Sequence, residues 1–134
     1  MEMSEIIKGK VLSPEQSQEL IDVYGINMSD AWLYFYQGNA DELTIKDDFY
    51  DDFGFDKIGG DIPTYTLEDI IKKFPKSITE DDIKHDLIIN MQESEIQYYS
   101  IGMDHYLKFF KNDNMIQAAF EMLKWLKSKD LIQW

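Results

Sequence analysis

Apolar residues recur at the spacing of an amphipathic helix in three stretches of the chain. Each stretch is bounded by residues suited to cap, begin or stop a helix, such as serine, threonine, asparagine, proline and glycine. The pattern therefore predicts three helices: residues 14–24, Thr66 to Phe74, and a cap at Asn112 or Asp113 followed by helix through Leu126.

Alternating side chains predict strands in most of the remaining chain. The predicted strands are residues 31–37, 42–46, 86–91, 95–101 and 104–110. Two glycine-containing pairs, Gly38-Asn39 and Gly102-Met103, are turn signals and predict antiparallel hairpins. We therefore expect one α+β domain over residues 1–134, in which a mainly antiparallel sheet of about four to six strands packs against about three helices.

Residues 47–63 form an acidic, aromatic segment that we predict to be a loop or an edge strand. From Asp41 to Asp69, ten acidic residues and two lysines give a net charge of −8. Aspartates that alternate with aromatic rings would imitate phosphates beside stacked bases and would occupy a basic groove on another protein. The same composition also fits a solvated loop or a loose divalent-cation site, although the ligand spacing of an EF-hand is missing. The predicted partner-binding residues of this segment are Asp47, Asp48, Asp51, Asp52, Phe53 and Phe55.

The whole chain is strongly acidic, with a formal net charge of −13 at pH 7. All thirteen basic residues are lysines, so the planar arginine fork that clamps phosphates and reads guanine is absent. A phosphate backbone would also repel a chain of this charge. The charge therefore disfavours direct nucleic-acid binding, and it fits either a solubilising surface or a surface for a basic partner.

The chain shows no signal for export or membrane insertion. Residues 1–10 lack a basic start followed by an apolar run, and no apolar stretch approaches the roughly 20 residues that span a bilayer. The chain contains no cysteine, which fits a reducing compartment. We expect a cytoplasmic protein that does not bind membranes.

Each of the two histidines adjoins an aspartate, and the pairs His85-Asp86 and Asp104-His105 fall at the start of two different predicted strands that could bring them together. Imidazoles and carboxylates would supply a zinc site or a general base. Neighbours on a strand point to opposite faces, however, so we interpret both as surface histidines. Sequence motifs of serine hydrolases, phosphate loops and zinc proteases are absent. We expect no catalytic residue, metal or cofactor, and the alternative is a small-molecule-binding or metal-binding protein, or an enzyme, that uses the two histidines.

One face of the first predicted strand is aromatic and carries Trp32, Tyr34 and Tyr36. Helices packed on this face would make it part of the core, whereas an uncovered face would bind a partner or a second copy. We expect Tyr98, Tyr99 and Tyr106 to be its neighbours in the sheet.

Two segments carry a resemblance to a known group of proteins: residues 62–78 (IPTYTLEDIIKKFPKSI) and residues 118–126 (AAFEMLKWL). They resemble the "PAFTL…LLPK.I" and "DA.YEMLCWL" segments of small proteins from phages and mobile elements of Bacteroidetes. Residues 12–32 are similar to the N-terminal helix and Trp-containing strand of that group. Tyr65 replaces the usual phenylalanine and Lys124 the usual cysteine, so that cysteine is no obligatory nucleophile. The resemblance implies accessory mobile-element cargo and no particular activity.

Together these features predict a non-enzymatic protein-interaction module. Its partner would be a host or mobile-element protein, and the acidic surface favours a basic one. One version of the hypothesis is an antagonist of a host defence or nucleic-acid-handling protein. A structural accessory protein or a homodimer is the other version.

Overall fold

The computed structural model describes residues 9–36, 40–45 and 62–132. These residues form three helices and two antiparallel sheets, which confirms the α+β fold class. The strands are divided between a three-stranded and a four-stranded sheet, instead of lying in the one sheet that we expected. Backbone contacts group the chain into two compact units, Met1–Glu68 and Asp69–Trp134, here called the N-terminal and C-terminal units.

The N-terminal unit contains the first helix and the three-stranded sheet. Its strands lie in the order β2-β1-β3, with both pairs antiparallel. The elements are α1 (Pro14–Asp22), β1 (Leu33–Phe35), β2 (Leu43–Ile45) and β3 (Ile62–Thr64). The predicted hairpin between β1 and β2 is thus confirmed, although β1 is shorter than predicted.

The cap predicted for α1 is present. The Ser13 side chain accepts a hydrogen bond from the Gln16 backbone N–H at 3.1 Å, and the Gln16 side chain accepts one from the Ser13 N–H at 3.1 Å. The helix ends at Asp22, two residues earlier than predicted, and Gly25 follows with a φ of +65°. That left-handed backbone suits glycine and turns the chain away from the helix axis.

A hydrogen bond between two buried hydroxyl groups connects α1 to β3. Ser17 Oγ donates to Thr64 Oγ1 at 3.0 Å, and Thr64 Oγ1 donates to the Leu12 carbonyl at 3.2 Å. Because both hydroxyls are fully buried, each needs such a partner. The apolar core around them includes Leu12, Leu20, Ile26, Ala31, Phe35 and Tyr65.

The second helix, α2 (Leu67–Lys73), contains the point at which the two units divide. It begins directly after Thr66, as predicted, and it ends two residues before Pro75. Ile70 on its apolar stripe is fully buried.

The C-terminal unit is a four-stranded meander packed against the last helix. Each strand pairs antiparallel with the next, in the order β4-β5-β6-β7. The elements are β4 (Ser77–Glu80), β5 (Ile83–Asn90), β6 (Glu95–Ser100), β7 (His105–Lys111) and α3 (Met115–Ser128). Helix α3 packs on β6 and β7, and the predicted stripe from Ile116 to Leu126 is buried.

Turn geometry explains what the sequence interpretation missed in this unit. Strand β4 was not predicted, because its turn to β5 consists of Asp81 and Asp82, both with positive φ and neither a glycine. Aspartate tolerates this left-handed backbone better than most residues do. The hairpin from β6 to β7 was predicted, but a four-residue connection, 101–104, joins its strands instead of a two-residue turn.

The cap of α3 also differs from the prediction. Asn114 Oδ1 accepts a hydrogen bond from the Gln117 backbone N–H at 3.0 Å, so Asn114 takes the role expected of Asn112 or Asp113. In the part of the chain that the structure describes, no helix is long and apolar enough to cross a membrane.

Candidate functional site

An open groove runs along the solvent-facing side of α1. Its volume is about 490 Å³. The lining residues are Pro14, Glu15, Gln18, Glu19, Asp22, Val23 and Ile62. Here we call it the α1 groove.

Helical spacing produces the acidic rim of the α1 groove. Glu15, Glu19 and Asp22 stand at the i, i+4 and i+7 positions, so their carboxylates share one face of the helix. Ser17 and Leu20 lie on the other face and are buried. The Gln18 side-chain amide donates to Asp22 Oδ1 at 3.0 Å, which orients that carboxylate.

The remainder of the α1 groove is apolar. Val23, at the end of the helix, is 69% exposed, although it is an aliphatic residue. Ile62 on β3 and Pro14 at the start of α1 complete the apolar lining. None of the residues that line the groove is basic, so it presents an apolar strip beside negative charge.

The α1 groove was not predicted, although the sequence contains a signal for its acidic rim. Three acidic residues at helical spacing on the outer face of a predicted helix mark one charged surface. The spacing itself does not reveal the apolar component, because Ile62 reaches the groove only through the pairing of β3 with β1.

The acidic partner-binding residues that we predicted lie outside the described residues. They are Asp47, Asp48, Asp51, Asp52, Phe53 and Phe55. Most of the predicted 47–63 loop is outside as well, except that Ile62 and Pro63 belong to β3. The role of these residues in binding stays a prediction.

The predicted aromatic face of the first strand is only partly buried. Trp32 is exposed, and Tyr34 and Tyr36 are half-buried, whereas Ala31 and Phe35 on the opposite face are buried in the core. The small and aliphatic side of the strand is therefore the core side. The role of the aromatic side as a contact surface stays a prediction.

The three tyrosines expected beside that face lie elsewhere. Tyr98, Tyr99 and Tyr106 belong to β6 and β7 of the four-stranded sheet, so the expected neighbourhood was wrong. Tyr98 is fully buried, and its hydroxyl donates to the Pro75 carbonyl at 2.7 Å. Burial raises the pKa of Tyr98 far above its ordinary value.

Tyr99 and Tyr106 lie on the opposite face of this sheet from Tyr98, together with Phe109. Ring centroids are 4.6 Å apart between Tyr99 and Tyr106 and 5.6 Å apart between Tyr106 and Phe109. Tyr106 and Phe109 are both half-exposed. The Tyr99 hydroxyl donates to Asp104, and this hydrogen bond raises the pKa of Tyr99.

The two histidines meet in the C-terminal unit. His85 Nε2 lies 2.9 Å from His105 Nδ1, with ring centroids 5.1 Å apart and ring planes tilted by 56°. The approach that the sequence analysis allowed as one alternative is therefore observed. The interpretation of both as surface residues was wrong for His85, which is 1% exposed, and right for His105.

The aspartates adjacent to the two histidines do not contribute a carboxylate to the pair, which agrees with the expectation that strand neighbours point to opposite faces. Asp86 is exposed, and its Oδ1 lies 3.8 Å from Lys84 Nζ, whereas Asp104 accepts a hydrogen bond from the Tyr99 hydroxyl. Across the described ranges, no three histidine or acidic side chains come together as a set of metal ligands.

Another cavity, of about 440 Å³, lies in the C-terminal unit. It lies between the end of α3 and the sheet. The residues around it are Glu80, Leu107, Lys108, Trp125, Lys129 and Leu131. Its charges are of both signs, which separates it chemically from the α1 groove.

Comparison of the chain with models of protein families, with curated proteins and with solved structures finds no match.

Proposed function

We propose that this chain is a non-enzymatic interaction module that acts in the cytoplasm and binds a basic segment of a partner protein along the α1 groove. The observation that carries the proposal is the groove itself, which combines apolar residues with a rim of carboxylates.

The chemistry of the groove favours one kind of occupant. Exposed Val23 and half-buried Ile62 provide apolar area, whose burial is worth roughly 25 cal/mol per Å². Glu15, Glu19 and Asp22 provide negative charge beside it. An amphipathic segment with one or two apolar residues flanked by lysine or arginine complements both features.

Charge elsewhere in the chain supports the same partner. The net charge of −13 draws a basic protein towards the surface, and the acidic segment 47–61 directly precedes Ile62 in sequence. A partner whose basic groove normally holds nucleic acid is one such protein, and its blockade would make this chain an antagonist. The mobile-element origin of the chain rests on the sequence resemblance alone.

Three double charge reversals of equal size test the proposal. Glu15→Lys with Asp22→Lys changes the groove rim, and Asp47→Lys with Asp51→Lys changes the acidic segment. Glu80→Lys with Asp86→Lys, both exposed in the C-terminal unit, is the matched control. Binding of a synthetic lysine- and leucine-containing amphipathic peptide is measured by fluorescence anisotropy at low and high salt.

We expect the rim variant to weaken peptide binding by about tenfold or more and to reduce its salt dependence. The control should change the affinity much less, because it alters the net charge by the same amount at residues that do not line the α1 groove. A large effect of the segment variant would add residues 47–61 to the contact surface. Equal effects of rim and control, or no binding of the peptide to the unaltered chain, would overturn the proposal.

A further inference from the structure

The histidine pair lies in the C-terminal unit and takes no part in the function proposed above. Three features set it apart: the rings come from two strands, β5 and β7, one ring is buried, and one buried ring nitrogen has no hydrogen-bond partner among the described residues. His85 Nδ1 is buried and lacks a hydrogen-bond partner among the described residues. Buried polar atoms in folded proteins nearly always have a hydrogen-bond partner, because leaving one without a partner destabilises the fold.

Strand register explains how the two rings meet. His105 on β7 pairs with Ser100 on β6, and Tyr99, the residue before Ser100, pairs with Asp86 of β5. His85, Ser100 and His105 therefore form one row across three strands, on the face that α3 covers. Ser100 is short and buried, so it leaves room above itself for both imidazoles.

Two neutral imidazoles at 2.9 Å share a single hydrogen, one ring donating and the other accepting. Whichever tautomer His85 adopts, its Nδ1 remains without a partner. If a cation replaced the shared hydrogen, only the hydrogen bond between the two rings would be lost. His105 is exposed, so its proton exchanges with water when it changes tautomer.

The distance suits a transition-metal ion after a small opening. Zinc binds imidazole nitrogen at about 2.0–2.1 Å, and tetrahedral geometry then separates two such nitrogens by about 3.3 Å. The observed 2.9 Å needs to widen by only about 0.4 Å, which rotation of the exposed His105 ring provides.

We propose that His85 Nε2 and His105 Nδ1 together bind one divalent transition-metal ion of the class that prefers imidazole, with zinc as its representative. Water completes the coordination on the exposed His105 side, since the described residues offer no third ligand. Two protein ligands leave two positions of a tetrahedral ion open for water or a further ligand.

The composition of the chain makes the test clean. The chain has two histidines and no cysteine, so all of its imidazole ligands belong to this pair and it has no thiolate ligand. Zinc chloride is titrated into the untagged full chain at pH 7.5 by calorimetry, with excess magnesium to occupy carboxylates. The first variant is His105→Ala, which changes an exposed residue outside the core. Tyr106→Ala, at the adjacent residue on the other face of the sheet, is the control.

We expect one zinc per chain, binding about tenfold or more weaker in His105→Ala, and unchanged binding in Tyr106→Ala. Circular dichroism confirms that each variant is folded. As a second measurement, ring-nitrogen NMR shifts of His85 Nε2 and His105 Nδ1 should move on zinc addition in the unaltered chain. No zinc binding, equal binding by His105→Ala, or unmoved nitrogen shifts would each overturn the proposal. The failure of this site would leave the α1 groove unaffected, because the peptide assay contains no metal.

Discussion

The two units place their notable chemistry in opposite ways. In the N-terminal unit, the charged side chains lie on the outside of one helix and surround an apolar strip, while the buried polar groups are bonded hydroxyls. In the C-terminal unit, the outer sheet face is partly aromatic, and the unusual polar group, His85, is buried in the row that faces α3. The first arrangement suits a charged macromolecule that approaches from solvent, whereas the second suits a small ion held between one buried and one exposed imidazole.

The largest expected effect tests whether the two units share one folding transition. Leu20→Ala in the N-terminal unit and Leu123→Ala in the C-terminal unit each remove a fully buried side chain. Each should lower the free energy of unfolding by roughly 2–5 kcal/mol, because a cavity adds to the lost burial. Urea unfolding, followed by hydrogen exchange of both units, measures the effect.

If residues 1–134 form the single domain that the sequence predicts, each substitution destabilises both units equally. Loss of hydrogen-exchange protection that is confined to the mutated unit would instead show that the two units unfold independently.

A smaller effect concerns pH in the C-terminal unit. Burial raises the pKa of the Tyr98 hydroxyl above its ordinary 10.0, so the folded chain holds that proton more tightly than the unfolded chain does. The resulting stability is complete below about pH 10 and is lost above it, at about 1.4 kcal/mol per pH unit for one group.

Tyr98→Phe should therefore lose less stability between pH 9 and 11 than the unaltered chain. It should be less stable at pH 8, because the hydrogen bond to Pro75 is gone. Denaturant unfolding across this range measures both, and the difference between the two proteins cancels the titration of lysines. Identical slopes would show that Tyr98 is solvated in solution.

The smallest effect compares the helix caps of the two units. Ser13→Ala and Asn114→Ala each remove a side chain that accepts a backbone N–H, and each should cost about 1 kcal/mol of unfolding free energy. Asn112→Ala is the matched control for α3, because Asn112 Oδ1 accepts from the adjacent Asp113 N–H, which lies before the helix. A larger loss of unfolding free energy for Asn112→Ala than for Asn114→Ala would indicate that Asn112 caps α3, as the sequence predicts.

Much of the fold was predictable because it is specified locally. The cap at Ser13, the stripe from Ile116 to Leu126 and the alternation in β6 are each readable within about a dozen residues. Strand β4 escaped prediction because aspartates, not glycines, form its left-handed turn. The division into two sheets was also missed, since alternation shows that a residue lies in a strand but not which strand it joins.

The candidate sites were less predictable because they depend on pairing between distant residues. The two predicted strands allowed an approach of His85 to His105, but the burial of His85 and its position in one row with the short Ser100 depend on the pairing of β5, β6 and β7. The α1 groove needs Ile62, which the sequence analysis had placed at the end of a loop. Each site therefore contains one residue whose place only the tertiary fold decides.

The strand order has a consequence for the folding kinetics of the chain. In the C-terminal unit every strand pairs with its immediate successor, so its native contacts have a low contact order. In the N-terminal unit Leu33 pairs with Thr64 across the whole intervening segment, and closing that long loop costs entropy before the pairing contributes. We therefore expect the later-synthesised half to acquire its structure first and the earlier half to form last, an order that pulsed hydrogen-exchange labelling during refolding would reveal.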